Sequence, residues 1–207
     1  MKICCKKINF SHNENELIKN LNLEINENQH IWIRGNSGAG KSSFLKLIAG
    51  TLTPLSGSIQ LGNCSFSDLT NEKKDQFRQN NIGFIDQESH LVEHWTVKQN
   101  LNLINQEILK FSEELNQVGL SSNIQHNLIS QLSGGEKQRI SFVRLLLQHP
   151  KVALLDEPTA HLDDLNTNRI LNLIEGRLSE TTVIIVSHDA RLLRFFPKPI
   201  EFSEINA

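Results

Sequence analysis

The stretch Ile31-Trp32-Ile33-Arg34-Gly35-Asn36-Ser37-Gly38-Ala39-Gly40-Lys41-Ser42-Ser43-Phe44-Leu45 reads as an apolar strand that runs through a glycine-rich turn into a helix. Phe44, Leu45, Leu47 and Ile48 recur at helical spacing until Gly50 stops the helix. Within this frame Gly35 to Ser42 fits G-x-x-x-x-G-K-[ST] without a mismatch. The glycines let backbone wrap a phosphate closely, and the helix start offers unpaired N–H groups with a partial positive charge. Lys41 reaches the terminal phosphates and Ser42 supplies a hydroxyl to Mg²⁺. The phosphate-binding candidates are therefore Gly35, Asn36, Ser37, Gly38, Ala39, Gly40, Lys41, Ser42 and Ser43. The bland alternative is a glycine-rich turn capped by serine.

A second strand, Val152-Ala153-Leu154-Leu155, ends on Asp156 and Glu157, where ligands of open α/β sheets collect. Beside a phosphate loop, Asp156 is the candidate Mg²⁺ ligand, and Glu157 the group that polarises the water attacking a γ-phosphorus in line. Val183-Ile184-Ile185-Val186 is another nearly unbroken apolar run, which suits central parallel strands covered on both faces.

Further out, Ile8 to Ile25 reads as two short antiparallel strands around Ser11-His12-Asn13-Glu14-Asn15, with Ile59 and Leu61 in another short strand. Asn71–Gln79 reads as a small helix before a strand over Ile82–Ile85. From Val97 to about Leu120 the pattern turns helical, punctuated by Leu101, Ile104, Ile108, Leu109 and Leu115. A helix opens near Ser133 and stops at His149-Pro150, and another spans roughly Leu165 to Leu178. The expected fold is α/β: a P-loop NTPase core with a mainly parallel sheet, an antiparallel β edge subdomain and an inserted α-helical subdomain. The core would take about residues 1–86 and 150–207, and the helical subdomain about 87–149.

The chain has 207 residues, enough to bury a core without disulfides or a structural metal. Lys plus Arg number 21 against 23 Asp plus Glu, so no positive field draws it to nucleic-acid phosphates or anionic lipid. No stretch approaches the roughly 18 consecutive apolar residues of a membrane span. Lys2, Lys6 and Lys7 stand where a secretory signal needs an apolar run, which points to a cytoplasmic protein. Cys4, Cys5 and Cys64 lack metal-ligand spacing and read as reduced thiols in packed strands.

The segment Gln131-Leu132-Ser133-Gly134-Gly135-Glu136-Lys137-Gln138-Arg139 resembles the signature sequence of ATP-binding cassette (ABC) ATPases. Ser133 with Glu136 three residues later is also a capping box, and both readings can hold together. Other elements of the family follow in order: Gln87 after Ile82–Ile85, Asp163 in Ala160-His161-Leu162-Asp163, and His188 in Val186-Ser187-His188-Asp189. The resemblance implies head-to-tail dimers, homo- or heteromeric, with each ATP between one subunit's phosphate loop and the other's Ser133, Gly134, Gly135 and Glu136. It gives Gln87 a role in sensing Mg²⁺ and the attacking water, Asp163 one in communication across the dimer, and His188 a contact to the γ-phosphate. In transporters of the family the helical lobe offers a groove to a helix of the membrane subunit, with Leu91, Val92, Trp95 and Val97 as candidate lining here.

Asn80 to Ile85 with Gln87 and Leu91 to Val97 look most like the macrolide-export and lipoprotein-release branch. The implied protein is an ATP-hydrolysing subunit peripheral to the inner face of the cell membrane, driving an integral permease on a separate chain. Soluble family members serving iron–sulfur assembly, translation or repair are the alternative, as is a mechanical regulator of a membrane complex.

Two positions depart from the family. Asp86 stands before Gln87 where the related branch commonly carries an apolar residue. Family members usually stack an aromatic, often Tyr, on adenine, and the corresponding place holds His12 in a chain without tyrosine. Phosphate contacts dominate the affinity, so His12→Ala is expected to weaken ATP binding less than tenfold by titration calorimetry. A larger loss would give the imidazole a major share of base binding.

Overall fold

The computed structural model describes residues 1–13, 15–104 and 111–206. Ile108 and Leu109 of the helical pattern lie outside the described residues. β1 (Ile3–His12) and β2 (Asn15–Ile25) form an antiparallel hairpin with Ile3 opposite Ile25 and His12 opposite Asn15. β3 (His30–Arg34) leads through the glycine-rich loop into α1 (Lys41–Ile48). β4 (Ser56–Leu61) and β5 (Cys64–Ser65) complete a four-stranded antiparallel sheet in the order β2-β1-β4-β5.

α2 (Asn71–Asn81) then enters β6 (Ile82–Ile85). Two short helices follow, α3 (Val97–Asn102) and α4 (Ser112–Gln117), and then the long α5 (Gly134–Gln148). The remaining elements are β7 (Val152–Asp156), α6 (Asp164–Arg177), β8 (Thr182–Val186), β9 (Ile200–Glu201) and the turn-length α7 (Phe202–Ile205). The second sheet is five-stranded in the order β6-β7-β8-β3-β9. Its neighbouring strands all pair in parallel.

Every residue of β7 and β8 is buried, which explains their unbroken apolar runs. Alternate side chains enter different cores. Trp32, Ala153, Leu155, Val183 and Ile185 pack on the side of α5 and α6. Ile31, Ile33, Val152, Leu154, Ile184 and Val186 pack against α1 and the antiparallel sheet. The first of these cores continues from the sheet through Ile140 and Val143 of α5 to Val97, Leu101 and Leu115.

β1 begins at Ile3, five residues before the period-two pattern becomes visible. Its register shifts between Cys5 and Ile8, where Lys7 takes φ +51°. The bulge changes the spacing of inward residues from two to three, so Ile3, Cys5, Ile8 and Phe10 all reach the core. Asn20 does the same in β2, at φ +46° between buried Ile18 and Leu21. Cys5 is sealed in this layer, and burial pushes its thiol up to about 12.

β9 and α7 have no counterpart in the sequence reading. Ile200 lies beside Ile33, and the Phe202 ring stands 6.1 Å from that of Phe44 beneath the phosphate loop. Of the four proposed groove residues, Leu91 and Val97 belong to the buried core instead. α5 seats on β6 over Gly83, where an added Cβ would lie 2.2 Å from Leu145 Cδ1 and 2.9 Å from Pro150 Cγ. Gly83→Ala is therefore expected to cost about 1–3 kcal/mol in urea unfolding. An unchanged midpoint would mean that α5 can shift freely on the sheet.

Candidate active site

The parallel sheet carries its chemistry at one edge. Gly35 follows β3, Gln87 follows β6, Asp156 ends β7 and His188 follows β8. Four carboxyl-terminal strand ends thus converge on one pocket of about 580 Å³, lined by the loop, Gln87, Asp156, Glu157 and His188. The lining includes Gly35, Asn36, Ser37, Gly38, Gly40, Lys41, Ser42 and Ser43. Ala39 packs against the core instead. His12, exposed at the end of β1, is absent from the lining, and Leu17 of β2 occupies the wall.

Lys41 is almost buried in the first turn of α1, and its Nζ donates to the carbonyls of Gly35 (2.8 Å) and Asn36 (2.7 Å). That turn holds no acidic residue, leaving the helix terminus to an anionic ligand. Gly40 sits at φ +99° with Leu17 O 3.1 Å from where a Cβ would stand, so neither backbone nor space favours a side chain there.

Asp156 is 2% exposed. Burial pushes its carboxyl up, as do Asp86 and Glu157, while a hydrogen bond from the Ser42 hydroxyl and the charge of Lys46 oppose the rise. Its Oδ2 has no partner among the described residues. An orphaned carboxylate oxygen beside the Ser42 hydroxyl and the Gln87 amide is a set of hard oxygen donors suited to Mg²⁺.

Glu157 takes φ +48°, which turns its carboxylate back over the strand ends. Its N–H donates to Val186 O (2.8 Å) and its carbonyl accepts from Gln138 Nε2 (3.4 Å). Oε2 accepts from the Ser187 hydroxyl (2.7 Å), while Oε1 lies 2.7 Å from His188 Nδ1 and accepts the His188 N–H (3.2 Å). Ser187 is a site residue that sequence reasoning passed over. Its signal is a fully buried hydroxyl immediately before His188, with its carbonyl held by Trp32 Nε1 at 2.9 Å.

Asp86 stands between this pocket and a neighbouring cleft. It accepts from the Gln87 N–H (2.8 Å), from His90 Nε2 (3.2 Å) and from Lys46 Nζ (3.3 Å). Burial pushes its carboxyl up, but His90 and Lys46 hold it below the usual range.

A second pocket, of about 480 Å³, is lined by Ser133, Gly134, Gly135, Arg139, His161, Leu162, Asp163 and Asn166. It shares no residue with the first. Ser133 caps α5 in the expected capping box: its hydroxyl accepts from Glu136 N (3.3 Å), and Glu136 Oε2 accepts from Ser133 N (2.9 Å). The Ser133 N–H and hydroxyl hold the Glu136 carboxyl below its ordinary range and occupy it, so Glu136 does not line the pocket. Asp163 caps α6, accepting from Asn166 N at 2.8 Å.

Residues 18–160 match the family model described as ABC transporter. HrtA of Staphylococcus saprophyticus, an ATP-binding protein whose given name assigns it to hemin import, is 35% identical over 96% of this chain and 93% of its own. The lipoprotein-releasing system ATP-binding protein LolD of Buchnera aphidicola is 35% identical over 94% and 91%. The dimeric ATP-binding cassette MJ0796, in a post-hydrolysis state bound to ADP and Pi, superposes with a TM-score of 0.85 at 28% identity, over 96% of this chain and 93% of that one.

Because the folded-state pKa of Asp156 is raised, its contribution to stability is fully present below the ordinary aspartate range and lost as pH rises through the raised value. Asp156→Asn in the nucleotide-free protein at pH 7 should therefore raise the thermal midpoint, by about 2–4 °C. Calorimetry giving an unchanged or lower midpoint would contradict this.

Proposed function

The chain belongs to the ABC transporter family and is an ATPase, and we propose that two copies close head to tail around two ATP-Mg to drive a membrane permease carried on a separate chain. One observation carries the reading. The two pockets are built on one chain from separate residues, with the acids Asp156 and Glu157 at one and the Ser133-capped start of α5 at the other. A second copy turned through two-fold symmetry completes both.

In each composite site the loop Gly35–Ser43 holds the phosphates, with Lys41 at the terminal ones and Ser133, Gly134 and Gly135 of the other copy facing the γ-phosphate. Glu157 orients the attacking water and draws its proton, its carboxylate held in place by Ser187 and His188. His188, whose side chain is 83% exposed, reaches the γ-phosphate. Gln87 orders the water, and Asp163 reports across the dimer. Ser42, Gln87 and Asp156 would hold Mg²⁺, which neutralises charge developing on the phosphate oxygens. ATP binding joins the copies and hydrolysis loosens them.

Motion passes to the permease through a cleft of about 660 Å³ between α1, β6 and α5, with Leu52, Phe84, Ile104 and Leu145 among its apolar walls. Asp86 lines this cleft and directly precedes Gln87, which links the cleft to the nucleotide pocket. No described helix is long and apolar enough to cross a membrane, consistent with peripheral attachment at the inner face. The named relatives serve different cargoes at the same 35% identity, so likeness to them selects no substrate.

Mixing tests the shared sites. Ser133→Arg and Lys41→Ala proteins should each be nearly inactive, yet an equal mixture should recover about a quarter of wild-type ATPase activity, since half of the dimers then hold one intact site. No recovery, despite dimers detected by light scattering, would count against composite sites.

A further inference from the structure

Outside both pockets, a polar cluster gathers on Arg191. Its Nε donates to Asp189 Oδ1 (2.9 Å) and Oδ2 (3.0 Å), and its Nη2 to Asp189 Oδ2 (2.8 Å) and the Thr159 carbonyl (3.4 Å). Nη1 donates to the Leu162 carbonyl (3.1 Å) and Asp164 Oδ1 (3.0 Å). Asp189 also accepts the Thr159 hydroxyl at 2.6 Å. Asp164 is 87% exposed, so that arm adds little, and the weight falls on Asp189, Thr159 and Leu162.

These contacts bracket a particular turn. Thr159 and Leu162 flank His161, which takes φ +62°, in the segment running from Glu157 in one pocket to Asp163 in the other. On the far side, the Asp189 N–H donates to Ser187 Oγ (3.1 Å), and that hydroxyl donates to Glu157. Hydrogen bonds therefore run unbroken from Glu157 through Ser187, Asp189 and Arg191 to Leu162, next to Asp163. Burial alone would push the Asp189 carboxyl up, but the guanidinium and the Thr159 hydroxyl hold it down, so the clamp is ionised at neutral pH.

We propose that Arg191 is a positioning residue that couples the two half-sites of the chain. Its guanidinium ties the turn bearing His161 and Asp163, which faces the other copy's nucleotide, to the segment bearing Ser187 and His188, which faces this copy's own. The inference rests on the shared-site reading above. Only a planar fork with donors on three nitrogens spans these acceptors; a lysine offers one point charge.

ATP hydrolysis measured against ATP concentration for wild type, Arg191→Lys and Arg191→Ala tests it, with binding of a fluorescent ATP analogue and a thermal melt on each. Arg191→Lys should lower kcat about tenfold and bring the Hill coefficient toward one, with nucleotide affinity changed less than about twofold. Millimolar guanidinium should restore part of the turnover of Arg191→Ala. If that variant fails to fold, the lysine variant carries the test. Wild-type kcat and cooperativity in Arg191→Lys would overturn the proposal. So would turnover, affinity and melting midpoint falling together without rescue, the mark of a merely structural role. A non-cooperative wild-type curve together with failed mixing would overturn the shared-site reading itself, and this inference with it.

Discussion

Burial of both faces of the parallel sheet is the constraint from which the rest follows. β7 and β8 contribute only buried side chains, each fully buried Val, Leu or Ile being worth about 1.5–3 kcal/mol, and the two cores are built from their alternate residues. Apolar side chains so committed can carry no chemistry. The polar residues are displaced to the points where strands leave the sheet, and parallel pairing sends all those exits to the same edge. The phosphate loop, Gln87, Asp156, Glu157 and His188 meet there because the sheet has no other place for them.

At that edge the polar groups meet two different conditions. Asp156 is drawn into the sheet's end with an oxygen unpaired among the described residues, a cost that a bound cation would offset. Glu157, one residue later, escapes burial through a left-handed backbone turn and finds Ser187 and His188. Adjacent acids thus acquire separate surroundings from a single backbone reversal. The same economy recurs at Ser133, whose hydroxyl and N–H close the start of α5 and fix the terminus that faces the second pocket.

Local sequence carried what local physics governs. The glycine-rich loop, the capping box of α5 and the apolar runs of β6, β7 and β8 were legible because spacing and propensity act within a few residues. The bulges at Lys7 and Asn20 were not, since each breaks the period by which a strand is recognised. β9 was hidden because two residues show no period; it exists by pairing with a strand far upstream. Leu17 lines the pocket where His12 was expected in it, a matter of hairpin placement that neither residue encodes alone. Likewise Leu91 and Val97 satisfy the core of the lobe, and the open cleft lies elsewhere. Ser187 and Arg191 escaped notice because Glu157, and Thr159 with Leu162, which they hold, are about thirty residues away in sequence.

The neighbours of β3 have a bearing on how the protein is made. This strand, which launches the phosphate loop, pairs on one side with β8 and on the other with β9. Asn206 then holds β2, accepting the Lys19 N–H at 2.7 Å and donating to the Leu17 carbonyl at 3.1 Å, while Phe202 stops 3.2 Å from the Cβ position of Gly35. All of these partners leave the ribosome long after β3 itself. Until β8 and β9 are made, a nascent chain therefore carries β3 as an unpaired apolar strand and its loop without these braces, the situation in which chaperones are needed. ATP can template the folding of that loop only after β8, β9 and Phe202 have been made, because part of its support comes from these distant segments.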